Sequence, residues 1–330
     1  MEGTLSERHP AVEPPEERRG RAPAFGSLPE RVTIREVGPR DGLQAEEPMS
    51  VQDRAGLIDM LGGANLPKIE AVSFVSPKAV PAMADAADVW KLVRKREDVA
   101  YSALVPNRRG AEAALEAGGF STLQAFLAAS EGYNTKNLGK SVTESIQDVA
   151  EVIELSDVPV EVSISSAFGD AYDGPVQPDQ VLAVAAEVAE RGAAGVSLGD
   201  TTGMATPRHV WELVPLLRER LPDLAINLHF HDTRGAALAN VLAAIEVGVT
   251  EFDASIGGLG GSPFAPGAGG NVATEDLVAM LHGMGVETGV DVMALFTAAR
   301  MLQTMIGHDL PGHAWRAEFP EWGWDAPHPG

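Results

Sequence analysis

Two histidines separated by one residue give this sequence its first chemical signal. His229 and His231 stand at the end of an apolar run, Leu224–Leu228, that predicts a β-strand. Because side chains along a strand alternate between its two faces, both imidazoles point to the same side. Two imidazoles placed this way can hold one ion, so the pair predicts a catalytic metal. Taken alone, the pair also fits one core histidine and one surface histidine.

A metal site needs a scaffold that brings further ligands to the same place. From Val32 onward, short β-branched runs alternate with amphipathic stretches, a pattern typical of parallel βαβ units. The predicted strands are Val32–Val37, Ile69–Phe74, Ala100–Val105, Thr122–Leu127, Val158–Ile164, Gly195–Leu198, Ala225–His229 and Glu251–Ser255. Eight such units predict an α/β fold, the (β/α)8 TIM barrel. An open doubly wound sheet is the alternative, but no Gly-x-Gly-x-x-Gly follows the first strand.

The same pattern sets the domain boundaries. Residues 31–306 are predicted to form one catalytic barrel domain, which ends with a helix over Val290–Ile306. Residues 1–30 are rich in Pro, Glu and Arg and are predicted to be a disordered N-terminal extension. Residues 307–330 are predicted to be a short, irregular C-terminal tail.

Composition narrows the classes of partner. The chain of 330 residues has a net charge of −22, which argues against nucleic acid or an anionic membrane surface as a partner. It contains no cysteine, so disulfides and thiolate metal sites are excluded. No apolar stretch approaches the roughly 20 residues that span a bilayer, and no signal-peptide pattern opens the chain. We therefore expect a cytoplasmic protein.

In a TIM barrel, active sites lie at the carboxyl ends of the strands. The polar residues of this sequence concentrate at those ends. They are Arg40, Asp41 and Gln44 after the first strand, Glu70 and Ser73 on the second, Asp200 after the sixth, and Ser262 and Asn271 after the eighth. We expect these side chains to converge with the histidine pair.

Together these segments resemble the 3-hydroxy-3-methylglutaryl-CoA lyase family. The similar segments are Val37–Gln44, Glu70–Lys78, Ser197–Thr201, His229–Thr233 and Gly257–Leu277. Members of this wider group are metal-dependent TIM-barrel lyases and condensing enzymes. The resemblance implies a divalent metal held by Asp41, His229, His231 and Asn271. It also implies substrate-handling roles for Arg40, Glu70 and Asp200.

The residue types of this ligand set agree with a hard cation. One carboxylate, two imidazoles and one amide, without sulfur, suit Mg²⁺ or Mn²⁺ with open positions for substrate oxygens. Zinc would usually favour a tetrahedral site. Two of the ligands have structural alternatives. Asp41 could be a turn residue before Gly42, and Asn271 could cap a helix over residues 272–280.

The implied reaction is the cleavage of a 3-hydroxyacyl-CoA, with 3-hydroxy-3-methylglutaryl-CoA giving acetoacetate and acetyl-CoA, as in leucine catabolism and ketone-body metabolism. In this retro-Claisen step the C2–C3 bond breaks and a thioester enolate forms. Arg40 is the predicted cation for that enolate, because a guanidinium stays charged at neutral pH. Glu70 is predicted to orient Arg40 or a bound water.

The chain departs from the family at several positions. Ser262 replaces the family's cysteine, whose thiol is linked to proton transfer, and Asp170 stands where mammalian-type lyases tend to have cysteine. We expect either Ser262 to relay the proton or His229 to act as the acid. For the CoA tail, the segment after the fourth strand is predicted to contribute Lys136, Asn137 and Lys140, with Gln44 and Ser73 as further substrate contacts.

Other interpretations stay open at this stage. The chain could act on a related hydroxyacyl-CoA, or condense a 2-oxo acid with acetyl-CoA as other members of the superfamily do. Two histidines and one carboxylate also occur in non-haem iron oxygenases. Finally, the change at Ser262 could mark a protein that has lost turnover. The sequence leaves the oligomeric state open, with a homodimer as one option.

Overall fold

The computed structural model describes residues 28–261 and 269–317, which form a closed barrel of eight parallel strands. Each strand pairs with the next one along the chain, and β8 pairs with β1. The strands are β1 Thr33–Glu36, β2 Lys68–Ser73, β3 Ala100–Leu104, β4 Thr122–Ala128, β5 Val160–Ser165, β6 Gly195–Asp200, β7 Ala225–Phe230 and β8 Glu251–Ala254. The predicted TIM barrel is confirmed, with every predicted strand in place.

Ten α-helices of the described residues surround the barrel. They are α1 Val51–Gly63, α2 Ala86–Leu92, α3 Arg108–Ala117, α4 Glu131–Leu138, α5 Val142–Leu155, α6 Pro178–Glu190, α7 Pro207–Arg220, α8 Ala237–Glu246, α9 Thr274–Gly283 and α10 Val292–Ile306. Serine hydroxyls cap the N-termini of three of these helices, because each hydroxyl accepts a backbone N–H that the first turn leaves unpaired. Ser50, Ser130 and Ser141 do so for α1, α4 and α5. None of these helices could cross a lipid bilayer.

The apolar core lies between the strands and the helices. Ile34, Leu198, Leu228 and Phe252, from four different strands, are fully buried. The barrel interior differs, because polar side chains occupy it below the carboxyl ends of the strands. Arg35, Glu161, Asn227 and Asp253 hydrogen bond to one another there.

Strand register sets the neighbours of the histidine pair. Asp253 on β8 is in register with Arg35 on β1 and with His229 on β7. Register partners on parallel strands face the same side of the sheet, so these three side chains meet inside the barrel. On β6, Gly199 is the partner of His229, and Asp200 is the partner of Phe230.

Two helices differ from the sequence prediction. The sequence pattern does not single out α2 or α4, because both are short and lack a clear apolar stripe. Beyond α10, Leu310 and Trp315 are buried against the barrel, so the described part of the tail packs on it. The N-terminal extension to residue 27 and the tail from residue 318 lie outside the described residues.

Candidate active site

The two histidines face one point at the carboxyl end of the barrel. His229 Nε2 and His231 Nε2 are 3.2 Å apart. His229 Nδ1 lies 3.0 Å from Asp253 Oδ2, and His231 Nδ1 lies 3.0 Å from the Gly269 carbonyl oxygen. Since both acceptors require a proton on Nδ1, each ring in its neutral form turns an unprotonated Nε2 toward the other. Burial alone would lower the pKa of His229, but its hydrogen bond to Asp253 and the charge of Asp41 raise it above its ordinary value.

Asp41 reaches the same point from the other side of the barrel. It lies in one wide helical turn, Gly38–Gly42, in which the Val37 carbonyl accepts the N–H groups of Arg40 and Asp41. One carboxylate oxygen of Asp41 and the ligating nitrogens of His229 and His231 lie within 4.8 Å of one another. Burial alone would raise the pKa of Asp41, but the charge of Arg40 and the two imidazoles hold it below its ordinary value. Asp41 is therefore an anion facing both rings.

Asn271, the fourth predicted ligand, contacts two of the other three, Asp41 and His231. Its Nδ2 donates to Asp41 Oδ2 at 2.7 Å and to the Leu259 carbonyl at 3.0 Å. A β-bridge pairs Asn271 with His231. Helix α9 begins later, at Thr274, with Ala273 as its cap, so the alternative that Asn271 caps this helix is wrong.

The residues present fit a divalent cation. Two imidazole lone pairs at 3.2 Å repel each other unless a proton or a cation lies between them. Burial and the neighbouring His229 lower the pKa of His231 to about 4, so this ring is neutral at physiological pH. A neutral imidazole is the form that binds a metal. With Asp41, the donor set is one of nitrogen and oxygen, which suits Mg²⁺ or Mn²⁺.

Arg40 lies beside this cluster, held by two carboxylates. Its Nη1 donates to Asp41 Oδ1 at 2.6 Å, and its Nη2 donates to Glu70 Oε2 at 2.8 Å. Arg40 Nε is buried and has no hydrogen-bond partner among the described residues. Strand β2 has an irregular register between Glu70 and Val72, which lets both Glu70 and Ser73 face the site although three positions separate them.

A cavity opens directly above the cluster. Its polar side includes Gln44, Ser73, Ser163, Ser165 and Ser197, together with Arg40, Asp41 and both histidines. Its apolar side is formed by Val75, Val80, Leu104 and Phe126. The Ser73 hydroxyl is buried without a hydrogen-bond partner in the described part of the chain. Gln44 Nε2 donates to Asp41 Oδ1 at 2.8 Å. Both predicted substrate contacts therefore lie in the same cavity as the candidate metal ligands.

The Asp200 side chain faces away from the cavity, although the sequence predicts that it converges with the histidine pair. Strand β6 extends through Asp200, so alternation turns this side chain away from the face on which Ser197 and Gly199 line the cavity. Its Oδ1 accepts the Ala205 N–H at 2.9 Å, and Oδ2 has no partner among the described residues. Burial raises the pKa of Asp200 to about 7. Its predicted catalytic role stays a prediction.

The predicted CoA segment folds as helix α4. Asn137 lines the cavity, and Lys136 is exposed on the helix surface. Lys140 forms an ion pair with Asp148 on α5. Asn134 anchors the segment, because its amide bonds to the Ala128 N–H, the Lys140 carbonyl and Ser145. Of the three predicted CoA contacts, only Asn137 reaches the cavity.

Two other predicted positions complete the comparison. Ser262 lies outside the described residues. Asp170 is buried and accepts the Ser130 hydroxyl at 2.5 Å, which ties the loop after β5 to the start of α4.

Sequence reasoning missed the residues below the histidine pair. Asp253 contacts His229 directly, and Arg35 contacts Asp253. Their signal was a charged residue inside each of two strands that a barrel should bury on both faces.

Comparisons with known proteins agree with this geometry. The family model described as HMGL-like matches residues 31–302. Hydroxymethylglutaryl-CoA lyase YngG of Bacillus subtilis is 44% identical over 287 residues, covering 86% of this chain and 96% of the relative. A Pseudomonas aeruginosa protein named 3-hydroxy-3-isohexenylglutaryl-CoA/hydroxy-methylglutaryl-CoA lyase is 44% identical over 285 residues, covering 85% and 95%.

Solved structures are similar to this chain in both sequence and fold, and one of them contains ligands. An HMG-CoA lyase from Acinetobacter baumannii, in complex with coenzyme A and 3-methylmalate, aligns with a TM-score of 0.84 and 38% identity, covering 87% of this chain and 95% of that one. A family match over most of the barrel and these similarities along nearly the full length of the relatives lead to one conclusion: the chain belongs to the HMGL-like family.

Proposed function

We propose that this protein is a divalent-metal-dependent lyase that cleaves 3-hydroxy-3-methylglutaryl-CoA to acetoacetate and acetyl-CoA. The observation that carries the proposal is the convergence of Asp41, His229 and His231, with ligand atoms within 4.8 Å of one another, beside a buried arginine. The names of the relatives support the substrate, since both curated proteins are called hydroxymethylglutaryl-CoA lyases.

The metal would be held by Asp41, His229, His231 and Asn271. When bound, a divalent ion supplies Lewis acidity toward substrate oxygens and lowers the pKa of a hydroxyl group. We propose Mg²⁺ or Mn²⁺, because the donor set contains nitrogen and oxygen and no sulfur. Asp253 and the Gly269 carbonyl would keep both rings in the tautomer that offers Nε2.

Arg40 would act on the charge that cleavage creates. The C3 hydroxyl gives its proton to a nearby carboxylate or histidine and becomes the ketone of acetoacetate, the C2–C3 bond breaks, and its electron pair forms the enolate of the thioester. A guanidinium fixed before the reaction stabilises such a charge without reorganisation. Glu70 and Asp41 hold Arg40 from two sides, so its guanidinium is fixed where it lines the cavity.

The proton that C2 takes up needs a separate donor. While His229 ligates through Nε2, its only ring proton, on Nδ1, faces Asp253 and not the cavity. Direct donation by His229 is therefore unsupported, and Ser262 is the better candidate by resemblance. The roles of Asp200 and Ser262 stay proposals.

The acyl-CoA would lie with its reacting carbons over Arg40 and the metal ligands. Ser73 and Gln44 offer hydrogen bonds to the acyl group, and Asn137 on α4 stands on the side where the thioester tail would leave. Lys136, exposed on the same helix, could meet a phosphate. Lys140 could do so only by exchanging its ion pair with Asp148.

A related substrate is the second candidate. The Pseudomonas aeruginosa relative is named for a substrate with a longer group at C3 as well as for the methyl compound. The apolar side of the cavity, formed by Val75, Val80, Leu104 and Phe126, would receive that C3 group. C3 of the substrate carries a hydroxyl, the carboxylate arm, the thioester arm and one further group. We propose that this further group is an alkyl group and not a polar one.

The test is a product assay on the purified chain. With Mg²⁺ or Mn²⁺ and 3-hydroxy-3-methylglutaryl-CoA, we expect acetoacetate and acetyl-CoA in equal amounts, and EDTA should abolish both. Asp41→Asn should lose activity, whereas the exposed Asp223→Asn, a matched acid-to-amide change, should keep it. Substrates with longer C3 groups define the second candidate. Cleavage that survives EDTA contradicts the proposal. A homodimer and a cytoplasmic location remain predictions.

A further inference from the structure

The carboxylate of Asp253 is the most heavily hydrogen-bonded acidic group below the candidate active site. Arg35 donates to it through Nε at 2.7 Å and through Nη2 at 3.1 Å. Asn227 Nδ2 donates at 2.8 Å, and the Ser197 hydroxyl donates at 3.2 Å. His229 Nδ1 supplies the fifth contact at 3.0 Å. Both oxygens are thus surrounded by donors.

These contacts fix Asp253 in one state and one orientation. Arg35 and Asp253 are both nearly fully buried, and the two-point pairing leaves the carboxylate no freedom to rotate. A buried ion pair is often no more stabilising than a well-packed apolar pair of the same volume. The fold alone therefore gives no reason to place this pair inside the barrel.

The contact with His229 supplies a reason. His231 donates its Nδ1 proton to a neutral backbone carbonyl, whereas His229 donates to an ionised carboxylate. A carboxylate behind a ligating imidazole fixes its tautomer and ring orientation and makes its other nitrogen a stronger donor to a metal. The two histidines are therefore not equivalent, and His229 would be the stronger ligand of the pair.

We infer that Asp253, held by Arg35, is a positioning residue of the metal centre: it accepts the Nδ1 proton of His229 and so holds the ring with Nε2 directed at the metal-binding point. Arg35 acts one step further away, by holding the Asp253 carboxylate toward His229. Neither side chain lines the cavity, so neither touches substrate. The inference rests on the proposed function, because it requires that His229 ligates a metal.

Metal affinity tests this role apart from turnover. Mn²⁺ binding is measured by calorimetry or electron paramagnetic resonance on metal-free wild type and Asp253→Asn, where we expect about a 10- to 100-fold higher Kd in the variant. The control is Glu251→Gln, the same acid-to-amide change two positions earlier on β8. Glu251 pairs with Lys68 at the other end of the barrel and should leave the Kd within about twofold of wild type, because it does not contact His229. An unchanged Kd in Asp253→Asn overturns the inference.

A measurement on the unmodified protein covers the case in which Asp253→Asn fails to fold. Nitrogen-15 spectra of the histidine side chains, recorded with Mg²⁺, should show His229 protonated on Nδ1 and unprotonated on Nε2. The opposite tautomer overturns the inference. Arg35→Lys keeps the positive charge, so it should retain more of the Mn²⁺ affinity than Arg35→Met, and equal losses would contradict the role of Arg35.

The same data separate the two levels of the argument. If the wild type binds no Mn²⁺ and cleaves no substrate, the proposed function fails and this inference fails with it. If the wild type binds Mn²⁺ and is inhibited by EDTA, but Asp253→Asn binds as tightly as Glu251→Gln, only the inference fails.

Discussion

The Nε2 atoms of His229 and His231 lie 3.2 Å apart, and in the neutral form of each ring the single proton is on Nδ1, away from the other ring. Metal binding should therefore relieve a repulsion as well as add bonds. At a free Mn²⁺ concentration of 100 times Kd, linkage predicts a stabilisation of about 2.7 kcal/mol over the EDTA-treated protein. Thermal unfolding with and without Mn²⁺ measures the rise in Tm. His231→Gln should lose most of the rise, and a wild-type Tm that ignores Mn²⁺ would contradict the metal site.

Arg40→Lys should separate catalysis from metal binding. A lysine ammonium keeps the positive charge but lacks the planar fork of donors with which Arg40 pairs with two carboxylates at once. We expect kcat to fall by about 100-fold, the scale seen when one preorganised donor to an oxyanion is removed. The Kd for Mn²⁺ should change much less. Arg94→Lys, at an exposed ion pair with Asp59, is the matched control and should leave both quantities unchanged.

Ser262 is the position at which the resemblance leads us to expect a cysteine. An alcohol is far less acidic than a thiol of pKa about 8.5, so a serine can pass a proton only within a chain of hydrogen bonds. Ser262→Ala should lower kcat by at least about tenfold if the hydroxyl is in that chain. Ser262→Cys should raise kcat and add a step to the pH–rate profile near the thiol pKa. Full activity in Ser262→Ala would remove this residue from the proton path.

The sequence predicts the barrel well because hydrophobic alternation and helix patterns are local signals. It also predicts Asp41 and Asn271 near the histidines, since every βα loop opens at the same end of the barrel. The sequence predicts the direction of the Asp200 side chain less well. Strand β6 continues two residues beyond its predicted end, and alternation along the strand then turns Asp200 away from the cavity.

Other features depend on contacts that no local pattern contains. Asp253 meets His229 and Arg35 only through the register of β8 with β7 and with β1, and Arg35 on β1 is 218 positions away in the sequence. Lys140 looks available to a phosphate in the sequence, but Asp148 on the next helix already pairs with it. Such partners can be found only once the elements are packed.

Gly260→Ala should weaken metal binding although it replaces none of the predicted ligand residues. Gly260 has φ +125°, and an added Cβ would lie 2.3 Å from Asn271 Nδ2 and 3.2 Å from Asp41 Oδ2. Two predicted ligands must move to make room, so we expect at least about a tenfold weaker affinity for Mn²⁺. Gly285→Ala is the control, because its φ is also positive but nothing lies within 4 Å of the added Cβ. Equal affinities in the two variants would contradict this prediction.

Glu275 predicts a pH dependence of stability that is independent of the metal. This side chain is fully buried; its Oε2 accepts the Gly257 N–H at 3.0 Å, and its Oε1 has no hydrogen-bond partner within the described ranges. Burial raises the pKa of Glu275 to about 8, with the nearby acids Asp276 and Glu36 acting in the same direction. The folded protein therefore keeps a proton that the unfolded chain releases above its ordinary pKa.

The sign of the effect follows from this difference in protons bound. Between pH 4.5 and about 8 the folded state binds more protons at Glu275 than the unfolded state, so this group makes stability fall as pH rises and has no further effect above that window. Glu275→Gln removes the group, and its free energy of unfolding should fall less steeply, by up to about 1.4 kcal/mol per pH unit. Urea unfolding in EDTA at about pH 5.5, 6.5 and 7.5, all within that window, measures how the free energy of unfolding of each protein changes with pH. Protonation of the metal ligands is common to both proteins and cancels. The control is the exposed Glu212→Gln, which should keep the wild-type slope. If the carboxyl of Glu275 were ionised in the folded wild-type protein, Glu275→Gln would keep that slope too, and the prediction would be wrong.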